Sequence, residues 1–436
     1  MPYITCVLPE RRRQMSFEEM LAFQPGVDDI GKYRISSLPN STRTILSKEV
    51  PKSLVEKTNL NAIKRALIAF NKETNALHQL MDEANQKMIP LNQAKKNGEI
   101  SEAEFTRAMQ EVYSELYYFF KIPKKNGKWR QISAPLPPLM DALRELKDII
   151  YSPGCSSMML SDHHTSAFAY ISKRNCKMVA IRHQKNKSHW FAHFDFHDFF
   201  GSTTPEFVFR MLDNIYPFCL FDEELKGEFH KALGLCFLNG GLPQGTPISP
   251  LLTNVMMIPF DHQMTKMLNH YARARKEGQS GHEAGDHFVY TRYADDINIS
   301  CVVEFDVKRI EQVINGWLSH FDAPFRLASE KTRYNSRAGK NWMLGVLLNA
   351  DNNITVGHEN KKIMKAMITN YVLDKKQAAN TGNRKWSLES VYELSGKLSY
   401  YRSIEKDYID YVLQQYGRKF NIDILESIKE DIRTGI

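Results

Sequence analysis

The segment TRYADDINIS, residues 291–300, places two carboxylates, Asp295 and Asp296, side by side between two short runs of strand-forming residues. The longer stretch HFVYTRYADDINISCVV predicts a β-hairpin with Asp295 at its tip. Adjacent like charges repel each other and resist burial, so a pair of acids at a hairpin tip requires an explanation from the rest of the chain.

A third acid, Asp195, lies in the segment HWFAHFDFHDFF. The strict alternation of this segment predicts a strand that ends at Gly201, with His193, Asp195 and His197 on the more polar face. These three side chains are one candidate site for a transition metal. Alternate strand positions are roughly 6.5–7 Å apart, so three of them rarely converge on one ion. A solvated edge strand is the other interpretation of this segment alone.

A grouping of Asp195 with Asp295 is favoured over that triad. If the strand and the hairpin lie side by side in one sheet, the two carboxylates converge. Hard oxygen ligands select Mg²⁺, and two such ions about 3.5–4 Å apart are the usual device for moving phosphoryl groups. The acids therefore predict metal-dependent phosphoryl chemistry.

The formal net charge of +8 over 436 residues is compatible with a polyanionic partner. Two basic clusters carry much of it: Lys121, Lys124, Lys125, Lys128 and Arg130, and Lys173, Arg174, Lys177, Arg182, Lys185 and Lys187. The six cysteines form no C-x-x-C pair, which indicates reduced thiols rather than disulfides or a zinc site. With no membrane-length apolar run and no secretion signal, the expected compartment is the cytoplasm.

Helical periodicity dominates the first hundred residues. Pro90 is expected to end one helix, and Ser101 with Glu104 has the capping-box spacing that starts the next. Further hairpins are predicted in KIPKKNGKWRQISAP and NWMLGVLLNADNNITVG, and helices around 206–215 and 307–320. From about Ile363 the chain is expected to be helical. These elements predict an α+β domain flanked by helical pieces.

In order along the chain, these segments resemble the motifs of the reverse transcriptases, and of their bacterial branch with group II intron, retron and phage-defence enzymes. IPKKNGKWRQISAP resembles the fingers motif, FDFHDFF the motif of the first catalytic aspartate, GLPQGTPISPLLTN the substrate-binding helix motif, and YADD the Y-x-D-D box. SEKT, WMLGV and LSGKLSYYRSI resemble the lysine-bearing motif, the primer grip and the thumb. The resemblance runs from about Ile122 to Tyr408.

This resemblance implies a right-hand polymerase fold. A helical N-terminal extension is expected over residues 1–110, fingers and palm over 111–350, and a helical thumb with a C-terminal segment over 351–436. No maturase, endonuclease or ribonuclease H region is expected in the chain.

The resemblance also implies which groups hold the metal. Asp195 and Asp295 match the metal-binding aspartates, together with the backbone carbonyl of Phe196, and Asp296 is the accompanying acid. The expected cofactor is a pair of Mg²⁺ ions, with Mn²⁺ as a substitute. Lys331 is a candidate general acid for the pyrophosphate leaving group, and a plain surface lysine is the alternative.

The incoming deoxynucleotide is expected, by the same resemblance, to meet a set of basic, aromatic and loop residues: Lys124, Lys125, Arg130, Phe199, Phe200, Gln244 and Gly245. Arg130 suits a bidentate contact because a guanidinium fork matches phosphate oxygens. The Phe200 ring would crowd the sugar 2′-position, so the product should be DNA. The structural alternatives are a solvated turn at the lysines, a Gly-Pro-rich loop at Gln244 and a core aromatic at Phe200.

The template and primer are expected to meet a second set: Tyr293, Leu344, Gly345, Lys397, Tyr400, Tyr401 and Arg402. Cations and flat rings on a thumb helix can hold a duplex by backbone charge and stacking. An amphipathic core helix is the alternative for the thumb segment, and Tyr293 also suits an ordinary strand aromatic.

The branch of the family is judged from two short patterns. Retron enzymes typically show N-A-x-x-H before the first aspartate and V-T-G after the box, and this chain has VAIRH at 179–183 and MLG at 343–345. The Ala, His and Gly of the two patterns are present, but the Asn and the Val-Thr are not. The chain therefore looks more like the single-gene defence-associated reverse transcriptases. That likeness implies a dedicated structured non-coding RNA as template, a cDNA product and a role in antiviral defence. A homo-oligomer or further defence proteins are open as partners, and no membrane is expected.

Three alternatives remain. One is a retron-type enzyme that makes RNA-linked single-stranded DNA. Another is an RNA-dependent RNA polymerase, against which Phe200 and the LPQG stretch argue. The last is a non-catalytic RNA-binding scaffold, against which the three intact aspartates argue.

Overall fold

The computed structural model describes residues 3–5, 49–51, 58–124, 127–150, 166–171, 174–277, 288–339 and 341–435. The described residues form two compact units. The larger unit takes those of Met1–Arg174, Ala192–Ile299 and Phe305–Arg333, and the smaller unit those of Asn175–Phe191, Ser300–Glu304 and Tyr334–Ile436.

The elements mix helices with short β-sheets, as the α+β prediction requires. The α-helices are α1 Leu60–Glu73, α2 Asn75–Lys96, α3 Glu102–Val112, α4 Pro137–Ile150, α5 Cys176–Lys185, α6 Phe199–Ser202, α7 Pro205–Leu212, α8 Glu223–Gly234, α9 Ser249–Met256, α10 Ile258–Glu277, α11 Val307–His320, α12 His358–Thr381, α13 Leu388–Ile404, α14 Lys406–Phe420 and α15 Ile424–Thr434. The strands are β1 Tyr3–Thr5, β2 Glu49–Pro51, β3 Tyr117–Pro123, β4 Trp129–Pro135, β5 Trp190–Asp195, β6 Val289–Tyr293, β7 Asp296–Cys301, β8 Arg333–Ser336, β9 Asn341–Met343, β10 Val346–Leu348 and β11 Ile354–Thr355. Among the described helices, none is long and apolar enough to span a bilayer.

The N-terminal helices confirm one prediction and correct another. Ser101 and Glu104 form the predicted capping box, in which the Glu104 N–H donates to Ser101 Oγ at 3.2 Å and the Ser101 N–H to Glu104 Oε2 at 2.8 Å. The expectation that Pro90 ends its helix is wrong, because α2 continues through it to Lys96. Pro90 lies on the exposed face, where the carbonyl that loses its helical partner can meet water, while Met88 packs in the core.

The predicted hairpin at residues 121–135 is confirmed as β3 and β4, with Ile122 opposite Arg130. The turn passes through Gly127, whose φ of 79° lies in the left-handed region that favours glycine. The predicted hairpin at 341–357 is also confirmed, as the antiparallel series β9, β10 and β11.

A four-stranded sheet with the order β6-β7-β5-β8 carries the acids. The hairpin β6–β7 has Ala294 and Asp295 at its tip, as predicted. Strand β5 ends at Asp195 rather than at the predicted Gly201, because Asp198 takes a left-handed conformation with φ 44° and α6 begins at Phe199.

Aromatic packing fixes this end of β5. The Phe196 ring lies 5.3 Å from the Phe199 ring and 5.0 Å from the Phe325 ring, centroid to centroid, and all three side chains are buried. Burial of this cluster leaves Asp195, one residue earlier, at the edge of the core.

Candidate active site

The main chain brings Asp195 and Asp295 together in the larger unit. The N–H of Phe196 donates to the carbonyl oxygen of Asp295 at 3.2 Å, so the end of β5 lies against the tip of the β6–β7 hairpin. On the other side, the N–H of Ala328 donates to the Asp195 carbonyl at 2.8 Å. The two aspartates therefore converge, as the sequence predicted, although a hundred positions separate them.

Asp295 is the acid whose ionisation this arrangement disfavours. Burial raises the pKa of its carboxyl, and the charges of Asp296 and Asp195 raise it further, to about 6, although Arg130 opposes the shift. A raised pKa means that the negative charge of Asp295 is not compensated by positive charge nearby. The site is therefore built to attract a cation.

Asp296 is held by a histidine. Its Oδ1 lies 3.2 Å from Nε2 of His193, whose Nδ1 lies 3.0 Å from Oδ1 of Asn298. Burial lowers the pKa of His193, but the hydrogen bonds to Asp296 and Asn298 outweigh it, so the net shift is upward. Since both ring nitrogens face oxygen acceptors, His193 supports Asp296 and does not join Asp195 and His197 as a ligand.

Asp195 is held by a lysine. Lys331 lies in a 3₁₀ turn, Ser329–Lys331, and its Nζ lies 2.9 Å from Oδ1 of Asp195. The hydrogen bond to Asp195 raises the pKa of Lys331, so the lysine is a cation here. The SEKT segment therefore reaches the first acid, which places Lys331 in the site.

In the parts of the chain that the structure describes, no three histidine, cysteine, aspartate or glutamate side chains form a ready-made metal site. Two of the three acids face protein side chains, Asp195 facing Lys331 and Asp296 facing His193. The donor chemistry still fits a hard divalent ion, because the oxygens are carboxylate oxygens and the raised pKa of Asp295 reports uncompensated negative charge. The Phe196 main chain adjoins the same tip.

Three of the predicted nucleotide-binding residues, Arg130, Gln244 and Gly245, lie on β4 or beside it. The N–H of Ser133 donates to the carbonyl of Gln244 at 2.8 Å. Gly245 has φ 123°, and a Cβ there would lie 2.8 Å from Cγ2 of Ile132, so only glycine fits this approach. Arg130, on the same strand, is exposed and acts on the pKa of Asp295. The loop of Gln244 and Gly245 therefore lies against β4, the strand whose Arg130 acts electrostatically on Asp295.

The remaining predicted nucleotide residues differ in their placement. Phe200 is half-buried in α6, and its carbonyl accepts from the Leu242 N–H at 3.0 Å, which ties α6 to the Gln244 loop. Phe199 is a core side chain, so we leave it out of the proposed nucleotide contacts. Lys124 is exposed at the end of the β3–β4 hairpin, and Lys125 lies outside the described residues.

Tyr170 belongs to this region although the sequence did not single it out. Its side chain is 52% exposed and its φ is 59°. Burial raises the pKa of its phenol, Asp295 raises it further and Arg130 opposes the shift, so the ring senses both groups. The one available signal was a tyrosine after the small residues of SAFAY, which is too weak alone to indicate a site.

The predicted template and primer residues of the smaller unit are partly gathered. Leu344 and Gly345 form the β9–β10 turn with φ 55° and 84°, and the Tyr400 hydroxyl donates to the Leu344 carbonyl at 3.5 Å. A Cβ on Gly345 would lie 2.9 Å from that hydroxyl. Tyr400 is exposed and Tyr401 is buried.

The two predicted thumb cations are paired with acids: Lys397 with Glu393 one turn earlier on α13, and Arg402 with Asp410 on α14. Nζ of Lys397 lies 2.6 Å from Oε1 of Glu393, and Nε of Arg402 lies 2.5 Å from Oδ1 of Asp410. Tyr293, the last residue of β6 in the larger unit, is half-buried beside the tip.

The VAIRH segment has a structural explanation. His183 is buried, its Nδ1 lies 2.5 Å from Oγ of Ser300, and Ser300 donates to Ser188 at 2.7 Å. Burial, with help from Arg182, lowers the pKa of His183 to about 3. A neutral histidine therefore ties α5 to the end of β7.

Comparison with known proteins identifies the class. Residues 122–355, more than half of the chain, match the family described as reverse transcriptase (RNA-dependent DNA polymerase). The chain belongs to the reverse transcriptase family, and it is an RNA-directed DNA polymerase.

Within that family, the chain is similar to retron enzymes of Escherichia coli. It is 25% identical to the retron Ec83 reverse transcriptase over 331 residues, which cover 72% of this chain and 90% of that protein. It is 28% identical to the retron Ec73 reverse transcriptase over 181 residues, 40% of this chain and about half (52%) of that protein. A telomerase from Candida albicans, solved with a fragment of telomeric RNA, matches 76% of this chain and 68% of its own, at 11% identity and a TM-score of 0.38.

Proposed function

We propose that this reverse transcriptase copies a dedicated, structured non-coding RNA into DNA by metal-dependent nucleotidyl transfer, as part of antiviral defence. The observation that supports this chemistry is the contact of the end of β5, at Asp195, with the tip of the β6–β7 hairpin, where the charges of Asp296 and Asp195 help to raise the pKa of Asp295 to about 6. A site of this kind suits chemistry in which a cation and an anionic substrate arrive together.

Asp195, Asp295 and the carbonyl of Phe196 would hold the ions, with Asp296 in support. Two Mg²⁺, or Mn²⁺ in their place, would supply Lewis acidity for the primer hydroxyl and charge neutralisation for the triphosphate.

The chain's own residues then divide the work. Arg130 and Lys124 bind the triphosphate, since a guanidinium and an ammonium suit phosphate oxygens. Gln244 and Gly245 shape the place of the sugar, and the Phe200 ring excludes a 2′-hydroxyl. Tyr293 supports the primer end.

The proposed transfer step joins the primer to the α-phosphate of the nucleotide. The primer 3′-oxygen loses its proton to solvent and forms a bond to the α-phosphorus, while the bond from that phosphorus to the bridging oxygen of the β-phosphate breaks. Pyrophosphate leaves with the bonding electron pair and takes a proton from Lys331, which is close enough to touch Asp195 in this structure.

The smaller unit would hold the template and primer. Leu344, Gly345 and Tyr400 form a connected surface on the β9–β10 turn and α13. Lys397 and Arg402 would contribute positive charge when phosphates replace Glu393 and Asp410 as their partners. Tyr401 supports this surface from the core.

We further propose that the enzyme works in the cytoplasm, a reducing compartment that would keep its scattered cysteines as thiols. A dedicated RNA template is supported by the similarity to retron reverse transcriptases. The defence role rests on the resemblance to single-gene defence enzymes. A homo-oligomer or further defence proteins are the partners we would look for.

The test is to purify the tagged protein and its Asp295→Asn variant from cells and to sequence the bound RNA and DNA. We expect one RNA to be enriched with both proteins, and complementary DNA only with the wild type. Random cellular RNA with the wild type would overturn the dedicated template, and cDNA with Asp295→Asn would overturn the assigned acid. Loss of protection of infected cells in Asp295→Asn, compared with wild type, tests the defence role separately.

The similarity to retron enzymes favours one second candidate, a product that stays covalently joined to RNA. Ribonuclease treatment separates the two. A cDNA whose mobility does not change after digestion is free DNA, whereas a shift to faster mobility indicates attached RNA.

A further inference from the structure

A buried ion pair lies directly behind the acidic tip, in the larger unit. The side chain of Arg292, on β6, is 0% exposed, and that of Asp261, in the first turn of α10, is 3% exposed. Nε of Arg292 donates to Oδ1 of Asp261 at 2.8 Å and Nη2 donates to Oδ2 at 2.8 Å. The Tyr290 hydroxyl donates to the same Oδ1 at 2.6 Å. The two charges are therefore joined as a fork and fully desolvated.

The third nitrogen of the guanidinium points along the chain to the active-site turn. Nη1 of Arg292 donates to the carbonyl oxygen of Ala294 at 3.0 Å. Ala294 has φ 56°, a conformation that residues with a side chain rarely adopt, and it immediately precedes Asp295. The hydrogen bond thus fixes the peptide group between Ala294 and Asp295, and the orientation of that group determines the direction of the Asp295 side chain.

The main chain of Arg292 holds a second part of the site. Its N–H donates to the Ser166 carbonyl at 2.7 Å, and its carbonyl accepts from the Phe168 N–H at 2.8 Å. That segment continues to Tyr170, whose ring senses Asp295 and Arg130. One residue therefore connects the strand, the turn and the Tyr170 segment.

Stability alone does not explain this pair. Taking two charges out of water costs free energy that their attraction only partly returns, and well-packed apolar replacements are often no less stable. A buried pair with a third, directed hydrogen bond to a strained turn is better explained by the geometry it imposes.

We infer that Arg292, held in place by Asp261, is a positioning residue that sets the turn at Ala294 and thereby aims the Asp295 carboxylate at the metal and the primer end. Arg292 touches neither substrate nor metal. The inference rests on the proposed role of Asp295 as the essential acid, and it adds a residue that lies outside the YADD segment itself.

The test is primer extension by the double variant Arg292→Met/Asp261→Asn in the full chain. The change removes both charges together, fills a similar volume and leaves an acceptor for Tyr290. We expect kcat to fall by about ten- to a hundredfold, because small displacements of a reacting group are costly. The KM for dNTP should stay within about threefold, and the Mg²⁺ concentration for half-maximal rate should rise, because an ill-aimed carboxylate binds the ion less well.

Arg210→Met is the matched control. Nη2 of Arg210 also donates to backbone carbonyls, at 3.0 Å to Phe321 and 2.9 Å to Asp322, but these lie at the end of α11 and carry no acid of the site. The Mg²⁺ dependence and kcat of this variant should match those of the wild type.

Two results would overturn the inference. One is a kcat within about threefold of the wild type. The other is a loss that equals the unfolded fraction measured by circular dichroism, with unchanged Mg²⁺ dependence in the active remainder. If the double variant does not fold, Arg292→Lys is tested in its place. A lysine ammonium can pair with Asp261 but cannot at the same time donate to the Ala294 carbonyl, as the guanidinium does. The kcat and the Mg²⁺ dependence of this variant then decide. Asp295→Asn, run alongside, should be inactive; activity there would refute the proposed acid and not the positioning role.

Discussion

Nζ of Lys331 lies 2.9 Å from Oδ1 of Asp195, so the first acid of the candidate site forms an ion pair with a lysine. The Lys331 side chain is 54% exposed and that of Asp195 17%. An ammonium and a divalent cation bound at the same carboxylate repel each other, so we expect the proposed metal to compete with Lys331 for Asp195.

Replacing Lys331 by Met should therefore have two opposite effects. The Mg²⁺ concentration for half-maximal rate should fall about fivefold, because a partly exposed ion pair of this kind is worth about 1 kcal/mol. The rate of a single turnover at saturating Mg²⁺ should fall by about a hundredfold, because a proton donor to the leaving group is lost. Rapid-quench extension over a Mg²⁺ series measures both.

Lys226→Met is the control for Lys331→Met, because Lys226 pairs with Asp213 and Glu223 outside the site. An unchanged Mg²⁺ midpoint in Lys331→Met would show that Lys331 does not compete with the ion.

Asp295→Asn should abolish incorporation and yet stabilise the fold. Its pKa of about 6 lies above the ordinary value, so ionising this carboxyl is harder in the folded chain than in the unfolded chain. The folded state is therefore penalised at pH above 6, by roughly 2–3 kcal/mol without divalent ions. The variant should melt at a higher temperature than the wild type at pH 7.5, and the difference should shrink as the pH falls from 6 towards 4.

Calorimetry in chelator, with nucleic-acid binding measured in parallel, checks this expectation. Asp322→Asn, an acid at the end of α11, is the control. A lower melting temperature for Asp295→Asn at pH 7.5 would show that the carboxylate is compensated in the folded chain.

The half-buried ring of Phe200 should control the choice of sugar. Phe200→Ala opens the place of the 2′-hydroxyl, so the preference for dNTP over NTP in kcat/KM should drop by at least about tenfold. Phe209→Ala is the control, because Phe209 stacks on His230 with centroids 3.9 Å apart, on the following helix. Equal preference in Phe200→Ala and wild type would assign the ring to the core alone.

The parts of this fold that local pattern determines could be predicted from the sequence. The hairpin tip at Asp295, the capping box at Ser101 and the β3–β4 hairpin each depend on neighbouring residues. The convergence of Asp195 with Asp295 could be predicted only on the condition that the strand and the hairpin lie side by side in one sheet, and the order β6-β7-β5-β8 meets that condition.

The rest depends on tertiary contacts that no local pattern contains. Pro90 sits inside α2 because packing of the opposite face outweighs a lost hydrogen bond, and β5 stops at Asp195 because the Phe196 cluster turns the chain into the core. The partner of Arg292 is an aspartate on a helix 31 positions earlier, which the strand-like segment does not reveal.

Asp431 should make the smaller unit sensitive to acid. Burial alone would raise the pKa of this carboxyl, but hydrogen bonds from Arg384, Lys375 and Tyr371 outweigh burial and lower it to about 2. A depressed folded pKa stabilises the chain at pH above the unfolded value of about 4, and that stabilisation is lost as the pH falls from about 4 through about 2. Asp431→Asn should therefore lower the free energy of unfolding by about 2 kcal/mol at pH 7, and by less and less below pH 4.

Thermal unfolding of the full chain at pH 7, 5 and 3.5 measures this trend. Glu426→Gln is the control, because Glu426 forms an exposed pair with Lys429 on the same helix and its replacement should change stability little. A cost that stays constant across the three pH values would show that Asp431 contributes packing and not charge.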